Sequence, residues 1–216
     1  MKKIFALLIA LLIAVPAVEA QNKVLNKARK KEYKAKIKEY EREGWTIFGT
    51  SRSLDVALLT HYNKLDEMGD EAFEIVGIST RTESKNNGMH HAANNACLMY
   101  AQSAGSYVKG RIVSDLAADG IDTNAEFEHF YAAYERLVEK EIKGEMKPSF
   151  NIIRKVGTNK KTGNDIFEIQ VYYIVNESAA SQARIRAFEN AIKESEAAQK
   201  YAKKVSDFVQ EGFKVE

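Results

Sequence analysis

Cysteine and proline are almost absent from the sequence. Cys97 is the only cysteine among the 216 residues, so the chain cannot form an intramolecular disulfide. A domain of this length can be stable through packing alone, and a disulfide-stapled fold is excluded. The two prolines are Pro16 and Pro148. Pro148 falls at the start of a predicted strand, where a missing N–H is tolerated.

Long hydrophobic runs are absent beyond the start of the chain. Two lysines precede an uninterrupted apolar run, Ile4 to Val15, and Pro16 ends it. Small residues then precede a cleavage point after Ala20. This layout predicts a secretory signal peptide at 1–20, because the run is too short for a permanent membrane anchor. Position 21 is not the cysteine that a lipoprotein needs, so we expect a periplasmic or secreted product without a transmembrane segment after cleavage.

An excess of charge of one sign is small overall but unevenly distributed. The sequence has 32 Lys or Arg and 30 Asp or Glu, a net charge of +2 with neutral histidines. Residues 21–43 hold nine Lys or Arg and four Glu, a local net charge of +5. Residues 44–216 therefore carry about −4. The small total argues against a dedicated polyanion binder, and we predict no nucleic acid as a partner.

Residues 21–43 predict a basic helix, which is the candidate interaction surface. Tyr33, Ile37 and Tyr40 recur at helical spacing and form a narrow apolar stripe. The cationic side chains would meet another envelope protein or an anionic envelope surface, such as lipid head groups or lipopolysaccharide. They are Lys23, Lys27, Arg29, Lys30, Lys31, Lys34, Lys36 and Lys38. The alternative is a solvated helix, because glutamates in the same segment balance part of the charge.

Residues 44–176 predict one α+β domain, because runs rich in β-formers alternate with helical patterns. Two glycines and several polar residues separate the last two β-runs, which predicts a hairpin and an antiparallel sheet. The predicted strands are 45–49, 72–82, 108–113, 149–156 and 165–175, and the predicted helices are 54–68, 89–109 and 123–143. Thr123 and Glu126 are predicted to form a capping box at the start of the last helix.

Small residues mark one broad face of the predicted helix at 89–109. They are Ala92, Ala93, Ala96, Cys97, Ala101 and Ala104. A helix faced with alanine can lie close to a sheet, since no large side chain holds its backbone away. After the domain, 177–216 predicts one long helix. The predicted fold is therefore α+β, with an antiparallel sheet covered by the Ala-rich helix and long helices at both ends of the mature chain.

Cys97 beside a histidine is the sharpest catalytic hypothesis, because a Cys–His pair can act as nucleophile and base. The histidines are His61, His90, His91 and His129. However, Cys97 falls on the alanine face, where a lone cysteine usually behaves as a small buried hydrophobe. No Cys/His spacing typical of a metal site and no nucleotide-binding glycine pattern occurs. We therefore predict no catalytic residue, no cofactor and no metal.

The order of elements resembles a known family. An Ala-rich helix (Ala92 to Ala104) is followed by a strand-like exit (Val108 to Val113), a further helix and a β-pair that ends in Phe167 to Tyr173. Over residues 72–176 this is similar to the N-terminal domain of flagellar assembly protein T and to small bacterial membrane-antigen lipoproteins. The resemblance implies a helix packed on an antiparallel sheet, an envelope location and a scaffolding role without catalytic residues. The chain departs from the lipoproteins by lacking the acylated cysteine.

We expect an exported, non-catalytic envelope protein of the scaffolding or partner-binding type. One alternative is a hydrolase of an envelope polymer that uses carboxylates or a Cys97–histidine pair, and a deep polar cleft joining those residues would favour it. The other is a carrier of a small apolar ligand held between sheet and helices. An enclosed apolar cavity on the order of several hundred Å³ would favour the carrier.

Overall fold

The computed structural model describes residues 30–116 and 122–211. The predicted signal peptide at 1–20 and the predicted loop at 117–121 lie outside the described residues. So do three of the predicted interaction residues, Lys23, Lys27 and Arg29.

The chain divides into two compact units, Met1–Trp45 and Thr46–Glu216. In the first unit, residues 30–43 form helix α1. The second unit contains β1 (Thr46–Phe48), α2 (Leu54–Met68), β2 (Ala72–Thr82), α3 (Lys85–Leu116), α4 (Thr123–Glu145), β3 (Lys147–Thr158), β4 (Asp165–Asn176), α5 (Glu177–Ala191), α6 (Glu196–Lys200) and α7 (Ala202–Glu211). Short 3₁₀ turns at Gly69–Glu71 and Ile192–Glu194 follow α2 and α5.

The four strands form one antiparallel sheet in the order β1-β3-β4-β2, which confirms the α+β prediction. The predicted hairpin joins β3 to β4. Its turn is held to the start of α3 by the Glu83 carboxylate, which accepts hydrogen bonds from Asn159, Asn164 and Thr162. These hydrogen bonds stabilise the charged carboxylate, the bond from Asn159 most of all, and they hold the pKa of Glu83 below its usual value.

Helix α3 packs against one face of the sheet at a point of very close approach. A Cβ atom added at Gly77 of β2 would lie 1.9 Å from the carbonyl oxygen of Ala92 and 2.9 Å from Cβ of Ala96. The two alanines are fully buried. Since side chains alternate across a strand, Ile75 joins Gly77 on this face and enters the main core. The alanine face of α3 therefore sits directly on a strand that has no side chain at the contact.

Helix α2 packs against the opposite face of the sheet. Glu74 of β2 points to this side and contacts His61 of α2. The His61 ring also lies edge-on to Phe150 of β3 and Tyr172 of β4. The sheet is thus contacted by helices on both faces.

Two sequence predictions in α3 and α4 are wrong. The strand predicted at 108–113 is helical, since α3 continues to Leu116 and buries Val108 and Ile112 at helical spacing. The β-branched residues there suggested a strand, but the helical period of the buried positions prevails. The capping residue of α4 is Asp122, whose carboxylate accepts from Asn124 N and Ala125 N, and not Thr123.

The prediction of one long C-terminal helix is also wrong. The segment is broken into α5, α6 and α7. The break is at Ser195, which has an extended backbone (φ −146°, ψ 122°) and caps α6 by accepting from Ala198 N. The Ser195 hydroxyl also donates to the Glu126 carbonyl of α4 at 3.2 Å. The chain turns there because serine satisfies the helix end and bonds to a neighbouring element.

Arg184 of α5 is the buried charge that joins the C-terminal helices to α3. The residue is 1% exposed. Its guanidinium donates to Glu177 Oε1 at 2.6 Å, to the Tyr100 hydroxyl of α3 at 2.6 Å and to the Val209 carbonyl of α7 at 3.5 Å. Burial favours the uncharged form, yet Glu177 and Tyr100 more than offset it and raise the pKa of Arg184. One side chain thus ties three helices together.

We expect Arg184→Met to lower the free energy of unfolding by about 3 kcal/mol, because it leaves buried acceptors without their charged donor. The matched control is Arg186→Met, on the same helix. Arg186 pairs with Glu141 and Glu145 at 2.7 Å each, but its side chain is 41% exposed. That loss should stay below about 1 kcal/mol. Urea unfolding measures the free energy of unfolding of both variants. Equal losses would contradict the role of Arg184 as the buried charge that joins α5 to α3 and α7.

Candidate functional site

Four lysines share one exposed face of α1. Lys30, Lys34 and Lys38 are each four residues apart, so they project from the same side of the helix in steps of about 6 Å. Lys31 flanks this row, and the four lysines and Ala35 line one open depression. All four lysines are exposed. We call Lys30, Lys31, Lys34 and Lys38 the lysine face.

Lys36 is not part of the lysine face, because its ammonium contacts other residues of α1. Its ammonium forms an ion pair with Glu39 at 3.4 Å and lies 5.1 Å from the centre of the Tyr40 ring. The structure therefore brings together four of the five predicted cationic residues that it describes. Within residues 30–116 and 122–211, no carboxylate forms an ion pair with a member of the lysine face.

The apolar stripe of α1 is withdrawn from solvent. Tyr33 and Ile37 are half-buried, and Tyr40 is 3% exposed. The helix ends at Gly44 with φ of 78°, a conformation that glycine adopts without strain. The stripe and the lysine face are thus adjacent on the surface of one helix, and the lysines are the more exposed of the two.

Cys97 does not have the environment of a nucleophile. It is 4% exposed, and its Sγ atom lies 3.9 Å from Sδ of Met146. Burial raises the pKa of the thiol, which favours the unreactive protonated form. His90, His91 and His129 are exposed, so they do not share the interior position of Cys97. This removes the Cys–His form of the hydrolase hypothesis for these three histidines.

His61 is a buried histidine that nothing in the sequence distinguishes from the other three. It is fully buried, and Nε2 lies 2.5 Å from Oε2 of Glu74. Its ring contacts Phe150 and Tyr172, and Nδ1 has no hydrogen-bond partner among the described residues. The one sequence signal is its place three residues after Leu58, within a predicted amphipathic helix. The pair joins α2 to the sheet, and we assign it a packing role.

A groove of about 240 Å³ lies between the start of α3 and strands β3 and β4. Met89, Val171 and Tyr173 give it apolar walls, and His90 and Asn151 add polar groups. The groove is mostly apolar but partly open, unlike the enclosed cavity expected for the carrier alternative. Cys97 is not among the described residues that line it.

Among the described residues, no group of three or more His, Cys, Asp or Glu side chains could hold a metal ion. In the same part of the chain, no helix has the length and apolarity to cross a bilayer.

Comparison with protein-family models, with curated proteins and with solved structures finds no match to this chain. The resemblance to the N-terminal domain of flagellar assembly protein T therefore stays a prediction.

We expect the Cys97 thiol to react with an aromatic disulfide reagent only when the protein opens, because burial keeps it protonated and inaccessible. The native protein should react far more slowly than the same protein in guanidinium, where the single thiol is fully labelled. A Cys97→Ala, Ser106→Cys variant is the control, since position 106 is exposed on the same helix. Native labelling of Cys97 as fast as that of the control would contradict the buried assignment.

Proposed function

We propose that the mature chain is an exported, non-catalytic envelope protein that binds a negatively charged partner through the lysine face. It is of the scaffolding or partner-binding type and needs no cofactor for this role. The observation that carries the proposal is the collection of Lys30, Lys31, Lys34 and Lys38 on one exposed side of α1.

The physical argument for binding is electrostatic. Four ammonium groups on one helix face repel each other, and an anionic partner would relieve that repulsion. The remainder of the chain does not supply this potential, because residues 44–216 carry about −4. An anionic partner is therefore attracted to the basic segment in particular.

The argument for export comes from the first 20 residues. Their two lysines, apolar run and small residues before the cleavage point form the pattern of a signal peptide. A protein released by cleavage at Ala20 would begin just before the basic helix. The predicted partner is thus a component of the bacterial envelope.

The proposal of a non-catalytic role is supported by the state of the one thiol. Cys97 is buried beside Met146 and its pKa is raised, so the most specific catalytic hypothesis loses its nucleophile. The groove beside α3 is smaller and more open than a carrier cavity would be. A binding surface is the function that the described residues favour.

We expect the purified mature chain, residues 21–216, to sediment with envelope membranes of the cell that makes it. The Lys30→Gln, Lys34→Gln, Lys38→Gln triple variant should lose at least about tenfold in retention, since each lysine near an anionic surface contributes on the order of 1 kcal/mol. High salt should release the wild-type protein. The control, Lys140→Gln, Lys203→Gln, Lys204→Gln, removes the same charge at exposed helical positions elsewhere.

Equal retention of the two triple variants would refute the role of the lysine face. Retention of neither the wild type nor the variants would refute the proposal of an envelope partner. Circular dichroism of each variant verifies that the helices are intact.

A further inference from the structure

We infer that β2 pairs with β2 of a second copy of this chain, so that the two sheets join across a two-fold axis at Val76. The surface contains no residue of the lysine face, and the inference goes beyond the proposed function. Three observations carry it: an open strand edge, the apolar side chains and helix beside that edge, and opposite charges at the two ends of β2.

Strand β2 is an open edge of the sheet. It is the last strand in the order β1-β3-β4-β2, so no strand of the described residues pairs with its outer side. The Ile78 N–H points to that side, because it donates to Oδ1 of Asn95 in α3 and not to β4. Alternate residues of an antiparallel strand direct their backbone groups to the same side. Glu74 and Val76 therefore also direct their N–H and C=O groups outward.

The outer edge of β2 lacks most features that prevent strands from pairing. Natural sheets protect their edges with short strands, lysine, proline or bulges. β1, at the other edge, has three residues, whereas β2 has 11. Residues 72–78 contain no lysine or proline, and the pairing of β2 becomes irregular only after Ser79. Their one charged side chain, Glu74, is bound to His61 of α2. The Asn95 bond covers one N–H, but at 3.3 Å it is long and exposed.

Apolar side chains are exposed on both sides of this edge. Ile78 is exposed on the face of the sheet to which Glu74 also points. On the other face, Leu98 and Met99 of α3 follow Asn95 by three and four residues, so they lie on the same side of the helix as Asn95. Both are exposed. A partner that adds a strand to β2 therefore meets apolar surface above and below that strand.

The position of α3 leaves room for the α3 of a second copy. The helix lies over both β2 and β4, because Ala92 touches Gly77 of β2 and Gly88 lies against the Ile169 side chain of β4. Across a β2–β2 pairing, the two α3 helices would be separated by two strand spacings, or about 10 Å. Packed helices are roughly 8–10 Å apart, so the Met99 sides of the two helices would contact each other. An isolated extended peptide brings no helix to this position.

Opposite charges at the ends of β2 favour an antiparallel copy and select its register. Glu71 precedes the strand, Arg81 lies near its end, and both are exposed. Val76 is five residues from each, so a pairing centred on Val76 brings each Glu71 close to Arg81 of the second copy. A pairing centred on Gly77 would bring Glu71 close to Glu83 instead, and like charges on opposite strands repel each other. The charges of β2 are thus complementary to those of its own copy.

Sedimentation velocity of the mature chain, residues 21–216, tests the inference. We expect a dimer at about 100 µM, as for a weak specific interface. In Val76→Lys, two ammonium groups would face each other at the axis, so the dimer should dissociate at least about tenfold more readily. The control, Val156→Lys, adds the same charge at an exposed position of β3 and should stay dimeric. A monomeric wild-type protein, or equal weakening by both variants, would overturn the inference.

An exchange of charges gives a second measurement that leaves the strand intact. Glu71→Arg alone and Arg81→Glu alone each place like charges together twice in a dimer, so each should raise its dissociation constant on the order of tenfold. The double variant restores opposite charges and should return to within about threefold of the wild-type value. Absence of this recovery would overturn the pairing of two copies, because only a partner with the same charges is corrected by the exchange.

Discussion

The close contact between α3 and β2 is the constraint on which the core depends. Gly77 lets the strand lie against the backbone of Ala92, and Ala96 completes the contact. Gly88 of α3 permits a second close contact with the sheet, since a Cβ at this position would lie 2.7 Å from Cδ1 of Ile169. Helix and sheet are thus packed at backbone distance, which small residues alone permit. The other side of α3 contacts α4, so the position of one helix sets both layers of the core.

The elements governed by local pattern were predictable from the sequence. The β-runs at 149–156 and 165–175, with two glycines between them, correctly predicted the hairpin of β3 and β4. The C-terminal break was not predictable, because Ser195 continues the helical stripe in the sequence. Its cap on α6 and its bond to α4 form only in the folded protein. His61 was missed for a similar reason. A histidine in the interior requires a partner, and Glu74 lies 13 residues away on another element.

The candidate site was partly predictable. Helical periodicity places Lys30, Lys34 and Lys38 on one side of α1, so the row follows from spacing alone. The sequence did not separate Lys36 from the others, because its removal depends on contacts with Glu39 and Tyr40. Nor does a pattern of charges identify a partner. What the structure adds is the exposure of each residue: Lys30, Lys34 and Lys38 are exposed, whereas Tyr33 and Ile37 are half-buried.

The free energy of unfolding of Gly77→Ala tests the central structural claim most directly. The added methyl group would overlap the Ala92 carbonyl, so we expect a loss of about 3 kcal/mol or more as helix and strand move apart. The control is Gly110→Ala on α3, where a Cβ would meet nothing within 4 Å. It should stabilise the protein by about 0.5–1 kcal/mol, since alanine favours a helix. A Gly77→Ala protein as stable as the wild type would contradict the account.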